Sequence, residues 1–356
     1  MRDTLRNGSP RARALLLLLL GLAAPSAAQE PTVVVATLPY LREVARAVGG
    51  DLVRVESLVP PGTDPHFLVP TPALSVTLGR ADVLLENGFQ LELWSERVID
   101  GARNQKIRPG FPGHTYAALG VQPIQVPAQQ SRAFGDIHPA GNPHVWLDPL
   151  NLKVVARNVE TCLARVRPAA ATTFAENRKA FEARLDEALY GPELVRILGT
   201  SLLDRLHRTG KLHAFLRERQ FQGQPLAAQA GGWHKRALAL EGLAFISYHQ
   251  DWTWFAQAFG LHLAATIEEK PGIPPAPGHL EQLQQKAQAE RLKVVVYSPF
   301  YPASRAEGVA ESIGGVATLL PTEPGESEGA KDLFSLYEDV FARLEAARRE
   351  TRGGGE

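Results

Sequence analysis

Short β-branched runs alternate with amphipathic stretches twice along this chain, and that alternation restricts the fold more than any other feature. Thr32–Thr37 has a strand pattern, followed by a helix over Pro39–Val48 that Gly49 and Gly50 terminate. Val53–Val59 and Val83–Glu86 read as further strands. Thr71-Pro72 opens a short helix between them, and another helix is expected around Glu92–Ala102. The alternation resumes with strands at Leu243–Tyr248, Leu263–Ile267, Val294–Tyr297 and Val316–Leu320. Helices at Trp252–Phe259, Gly278–Glu290, Ser304–Ile313 and Lys331–Arg349 intervene or follow. Between the two series, Asp148-Pro149 caps a helix to about Val166. Pro168 then opens a longer one with Phe174, Phe181, Leu185 and Leu189 on one stripe. Strands alternating with helices make parallel sheets in βαβ units. The expectation is an α/β chain of two lobes, with parallel sheets flanked by helices, joined by one long rigid backbone helix. Residues 103–142, rich in Pro, Gly and Gln, read as a long loop with at most one strand, and the TRGGGE tail as disordered.

The first residues point to export. MRDTLRNGSPRAR carries four arginines against one aspartate, and the apolar run ALLLLLLGLAA follows. Eleven apolar residues are too few for a bilayer that takes roughly twenty in a helix. Ser26 and Ala28 are spaced like a signal-peptidase site, so 1–28 reads as a leader cleaved near Ala28, leaving a chain that begins near Gln29. No cysteine follows the apolar run, which argues against lipidation. The expected division is then 29–166 as a first lobe, 167–195 as the linking helix and 196–356 as a second lobe. The lone Cys162 shares a helical face with Val159 and Val166 and reads as buried packing. Lys+Arg and Asp+Glu both total 38, a balance that argues against a nucleic-acid binder.

Two X-Pro-His tripeptides stand 78 residues apart, Asp64-Pro65-His66 in PGTDPHFLVPTP and Asn142-Pro143-His144 in GNPHVWLDP. A preceding proline restricts the backbone that presents each imidazole. His249 comes directly after the strand of GLAFISYHQDW, and His66 lies in the loop after Val53–Val59. Parallel α/β sheets place functional groups just beyond the C-terminal ends of their strands, so these three histidines face the expected cleft. Neutral imidazole is the commonest metal ligand. The three are too dispersed for a close-spaced metal motif, and the residues alone leave open metal ligands or ordinary buried histidines. His114, His207, His213, His234, His262 and His279 read as surface or satisfied core residues.

LVPPGTDPHFLVPTP, ADVLLENG, GNPHVWLDP, FISYHQDWTWFAQAFG and IEEKPGIPPAPGHL occur in this order. Together they resemble the zinc/manganese (cluster A-I) solute-binding proteins of metal ABC transporters, from about Val33 to Leu344. The resemblance implies metal bound between two lobes, with His66, His144 and His249 matching the family's three histidine ligands. Manganese-preferring members tend to carry glutamate at the third place, where this chain has His249. Three imidazoles suit zinc better than manganese. The family commonly adds an aspartate from the loop after a late strand, but here that loop reads LLPTEPGESEG. Glu323 is its nearest carboxylate and the candidate fourth ligand, with water as the alternative and Asp332 a poorer choice. His138, six residues before His144 in GDIHPAGNPH, reads as a plain loop histidine, with handing metal to the site as the alternative, and the long His/Asp-rich loop of many zinc-selective relatives is missing. Trp146, Trp252, Trp254 and Phe67 are expected to form a dry shell around the ligands, or simply core packing.

The resemblance thus implies a periplasmic receptor, expected to be a monomer, that captures Zn²⁺ as transported ligand and delivers it to an ABC permease, without enzymatic chemistry. Lobe motion should be small, leaving scattering profiles alike with and without metal. Affinity should fall below about pH 6.5 as protons compete for the imidazoles. The rivals are a manganese or iron receptor or a metallochaperone of the same fold, an adhesin, and a zinc-dependent hydrolase. The hydrolase lacks a glutamate beside a ligand in a general-base motif.

Overall fold

The computed structural model describes residues 30–127, 138–268 and 272–353. The leader, its cleavage point, part of the 103–142 loop and three residues of EEKPGIPPAP lie outside the described residues. The first half contains β1 (Thr32–Ala36), α1 (Pro39–Gly49), β2 (Val53–Ser57), α2 (Pro72–Gly79), β3 (Val83–Glu86), α3 (Ser95–Ala102) and β4 (His114–Tyr116). Its strands form one parallel sheet in the order β2-β1-β3-β4. β3 is buried throughout, and so is β1 except at Val33, as strands of a parallel sheet covered on both faces must be.

Asp148 does act as a cap, accepting a hydrogen bond from the Leu150 N–H. The turn it caps is the short 3₁₀ segment Pro149–Asn151, ahead of α4 (Leu152–Val166). Cys162 is fully buried on α4, as its face predicts. The long helix between the halves is α5 (Ala171–Tyr190), and its stripe of Phe174, Phe181, Leu185 and Leu189 is buried. The alternation pattern does not resolve the next stretch. It holds α6 (Pro192–Leu198), α7 (Thr200–Arg208), α8 (Leu212–Glu218), the two-strand ribbon β5 (Gln220–Phe221) with β6 (Gln224–Pro225), and α9 (Gly232–Ala239).

The second sheet is laid down by β7 (Ala244–Ser247), α10 (Thr253–Phe259), β8 (His262–Thr266), α11 (Pro277–Glu290), β9 (Val294–Tyr297), α12 (Ala303–Ser312) and β10 (Val316–Leu319). Its order is β10-β9-β7-β8, again all parallel. α13 (Leu333–Gly353) ends the described chain and carries the first residues of the supposedly disordered tail as helix. Both sheets repeat one topology. The first strand is central, the second lies on one side, and the third and fourth lie on the other. Connections therefore leave the first strand in opposite directions, which opens a crevice at its C-terminal end.

One hydrophobic cluster runs through both halves, from Val34, Tyr40 and Trp146 to Leu189, Trp233, Phe255 and Phe341. Pleating splits the second sheet. Phe245 and Val296 point into this shared core, while Ile246 and Val295 face a smaller cluster under α11 and α12. Hydrogen bonds reinforce the seam. The Trp146 indole N–H donates to the Thr322 carbonyl at 2.7 Å, and the Trp254 indole to the Asn142 carbonyl at 3.0 Å. Tyr337 donates its hydroxyl proton to the carbonyl of Trp146. Among the described residues no helix is long and apolar enough to cross a membrane.

Candidate metal centre

The two X-Pro-His tripeptides are built alike, and the residue before the proline does as much as the proline. Asp64 Oδ1 accepts from the His66 backbone N–H at 2.9 Å, and Asn142 Oδ1 from the His144 N–H at 3.0 Å. Each is a side chain bonded to the backbone two residues on, the local turn that Asp and Asn favour. Asn142 also ties its mount to the other half. Its amide donates to the Gln125 side chain at 2.7 Å and to the Gln250 carbonyl at 2.9 Å. His249 sits two residues beyond β7, at the crevice of the second sheet, and opens the 3₁₀ turn Gln250–Trp252.

These mounts bring His66, His144 and His249 together. Ring centroids are 5.2 Å apart for His66–His144, 5.9 Å for His66–His249 and 6.0 Å for His144–His249. One ring nitrogen from each lies within 4.8 Å of the others. Nε2 of both His66 and His144 is buried with no hydrogen-bond partner. A buried polar atom left bare is costly, roughly 1–3 kcal/mol, and two of them on rings grouped this closely mark a place for a ligand. On His66 and His249 a carboxylate occupies one ring nitrogen. His66 Nδ1 lies 2.7 Å from Asp64 Oδ1, and His249 Nδ1 lies 3.1 Å from Glu268 Oε2. A carboxylate on one ring nitrogen fixes the tautomer and leaves the other as a donor lone pair, the usual outer partnership of a metal-ligating histidine.

The surrounding charge is negative. Burial pushes the Asp64 carboxyl up, but its hydrogen bond and charge contact with His66 bring it below the usual aspartate value. Asp251, buried behind the site, accepts from Ser298 Oγ at 2.6 Å through one oxygen, while its other oxygen has no partner. Burial raises its pKa, against the opposing pull of His249. Burial, then the neighbouring His66 and His249, hold His144 well below the ordinary histidine value. For His249, burial is outweighed by the Glu268 hydrogen bond and by the charges of Asp251, Glu268 and Asp64, which lift it.

Other sequence candidates lie elsewhere. Among the described residues the group that could share an ion is His66, His144 and His249, without Glu323. Glu323 Oε2 instead accepts from the Tyr40 N–H at 2.7 Å, in the first turn of α1, where backbone donors have no helical partner. Burial, and then Glu326, raise its pKa well above the usual glutamate value. Asp332 accepts from the backbone N–H groups of Phe334 and Ser335 at the start of α13. Trp146 and Trp252 are fully buried and Trp254 nearly so, but Phe67 is 59% exposed and belongs to no dry shell.

His138 departs from its expectation as a plain loop residue. Its ring centroid lies 5.1 Å from that of His66, and its Nε2 is buried without a partner. Burial, then the charges of His66 and His249, push it down to about 3. His207, His234 and His213 form a separate chain. His207 Nε2 meets Asp148 Oδ1 at 2.9 Å, His234 Nε2 meets His207 Nδ1 at 2.9 Å, and His213 Nε2 meets His234 Nδ1 at 3.0 Å. With Asp148 an obligate acceptor at one end, every ring in this chain donates from Nε2, and His207 and His234 accept at Nδ1.

The family model described as the periplasmic zinc-uptake complex component A, ZnuA, matches residues 34–189 and 224–347. Among curated relatives, the iron-binding protein YfeA of Yersinia pestis is 28% identical over 52% of this chain and 52% of its own length. The manganese ABC transporter substrate-binding lipoprotein scaA of Streptococcus gordonii is 29% identical over 48% of this chain and 56% of its own. The chain thus spans about half the length of the curated relatives it matches. A solved structure of ZnuA superposes with a TM-score of 0.65 at 22% identity, covering 89% of this chain and 99% of that one. The Mn-bound periplasmic metal binding protein from Candidatus Liberibacter asiaticus gives 0.63 at 17% identity, with the same coverage. These likenesses agree with the two-sheet fold, and the family model covers well over half of the sequence. The chain belongs to the family of periplasmic zinc-uptake complex component A proteins.

Proposed function

We propose that this protein is a periplasmic receptor that holds a Zn²⁺ ion between its two sheets through His66, His144 and His249 and delivers it to an ABC permease. The observation that carries the reading is the convergence of one ring nitrogen from each of three histidines within 4.8 Å, together with the buried, unpartnered Nε2 atoms of His66 and His144. Asp64 and Glu268 preset two of the rings, so little ordering is left to the moment of binding. The first lobe of 29–166 contributes two ligands and the second lobe of 196–356 one, with the 167–195 connection between them. Nitrogen donors suit zinc. The released chain acts as a monomer, with the ion as cargo and no bond-making chemistry.

A second reading, a manganese or iron receptor, draws support from the relatives named for those metals and from the carboxylates of Asp64, Asp251 and Glu268 beside the rings. Equilibrium competition separates the two. The protein is offered Zn²⁺, Mn²⁺ and Fe²⁺ with a chelator of known affinity, and bound metal is counted by mass spectrometry. One zinc per chain that excess manganese does not displace is the expected result. Preferential retention of manganese or iron would assign the cargo to the second reading.

A further inference from the structure

We infer that His138 is a fourth imidazole donor to the ion held by His66, His144 and His249; the inference rests on the receptor reading above. Three observations lead to it. The His138 ring stands as close to His66 as His144 does, with centroids 5.1 and 5.2 Å away. Its Nε2 joins those of His66 and His144 as a buried ring nitrogen without a partner. The backbone of Phe89 and Gln90 lies beside the ring.

Phe89 and Gln90 both adopt the left-handed region, with φ of 57° and 60°, directly after Gly88 at 92°. Two adjacent non-glycine residues in that region are strained, and strain of this kind concentrates at ligand sites.

His138 stands on the His66 side, outside the close group of three. Coordination requires its ring to advance onto the ion, a step that His66, His144 and His249, already grouped, do not need. It fills the place for which Glu323 is the sequence candidate; one oxygen of that carboxylate is held at the first turn of α1 and the other is buried without a partner, outside the group of three. A fourth nitrogen makes the donor set wholly imidazole, which disfavours manganese further.

Cobalt(II) tests this, because its visible absorption reports both coordination geometry and donor type. The intact protein, His138→Ala, Asp251→Asn and His66→Ala are titrated with Co²⁺ and then with Zn²⁺ against a chelator, and each metal-free form is melted. His138→Ala is expected to keep one ion per chain, to bind it about tenfold more weakly or worse, and to change the cobalt bands, while melting like the parent. His66→Ala should bind none. If His138→Ala matches the parent in affinity and spectrum while His66→Ala fails, the fourth-donor assignment is overturned and the receptor reading stands. If Asp251→Asn alone changes the spectrum, the fourth donor is Asp251. If His66→Ala also binds like the parent, the receptor site itself is misplaced.

Discussion

His66, His144 and His249 turn ring nitrogens toward one point, whereas His207, His234 and His213 hand theirs to one another. The two groups use the same side chain and comparable burial. In the first, two Nε2 atoms lack partners, and outward nitrogens rest on Asp64 and Glu268. In the second, the hydrogen bonds run in one direction from His213 through His234 and His207 to Asp148, ring upon ring. His234 and His207 each use both nitrogens in that chain, so neither has one left to offer an ion. What separates a candidate binding site from a polar strut is therefore which nitrogens remain unsatisfied, and the number of histidines does not decide it.

The comparison can be broken most directly by truncating one ring from each group. His144→Ala should weaken zinc binding by about a hundredfold or more, because a borderline-soft ion loses one of its nitrogen donors, and should leave the metal-free melting temperature nearly unchanged. His234→Ala should do the reverse. It strands His207 and His213 in the interior, and a loss of roughly 2–4 kcal/mol in a denaturant titration is expected, with zinc stoichiometry intact. If His144→Ala destabilised the fold as much as His234→Ala, the distinction between the groups would fail.

Acid should sharpen it. Burial, followed by Arg217, pushes His213 down to about 4, and burial also holds His234 well below the ordinary value. The unfolded chain therefore binds protons that the folded chain refuses between about pH 6.5 and 4. The stability contributed by these rings is complete above that window and is lost as pH falls through it. Denaturant midpoints of the metal-free protein should decline across this range, and less steeply for His213→Gln; identical slopes would remove the strut from the account. A smaller effect is expected at the outer layer of the open group. Asp64→Asn keeps an acceptor for the His66 backbone but removes the charge beside its ring, so zinc affinity should fall about tenfold in a chelator competition.

Much of this was legible in the sequence. Alternating strand and helix patterns give both sheets, because β-branched runs and apolar stripes are local properties of the chain. His66, His144 and His249 are visible because a loop after a parallel strand is a recurrent place for function. Glu323 shows where such reading stops. Its partner, the Tyr40 N–H, is 283 residues away, and no local pattern announces that the carboxylate belongs to a helix terminus. Glu268 likewise meets His249 only after the chain has passed through α10 and β8. The Asn142 and Asp64 turns were within reach, since a carboxylate or amide two residues ahead of a histidine is a recognisable signal. For His138 the sequence left a plain loop histidine and a metal-handling one both open, because nothing in GDIHPAGNPH tells which way a ring will face. The helices between α5 and β7 escaped for a related reason: they are short, and they mix apolar positions with many charges.

The seam between the halves has a consequence for the protein's autonomy. Trp146, Trp254 and Tyr337 bridge it with hydrogen bonds, and the apolar cluster passes through it without a break. A fragment ending at Val166 would leave the Tyr40–Trp146 stack without the Thr322 and Tyr337 groups that complete it, and would open a broad apolar face to water. At about 25 cal/mol for each Å² exposed, a few hundred Å² is comparable to the whole stability margin of a domain. Neither sheet should fold alone, and calorimetry should record a single heat-absorption peak for the intact chain.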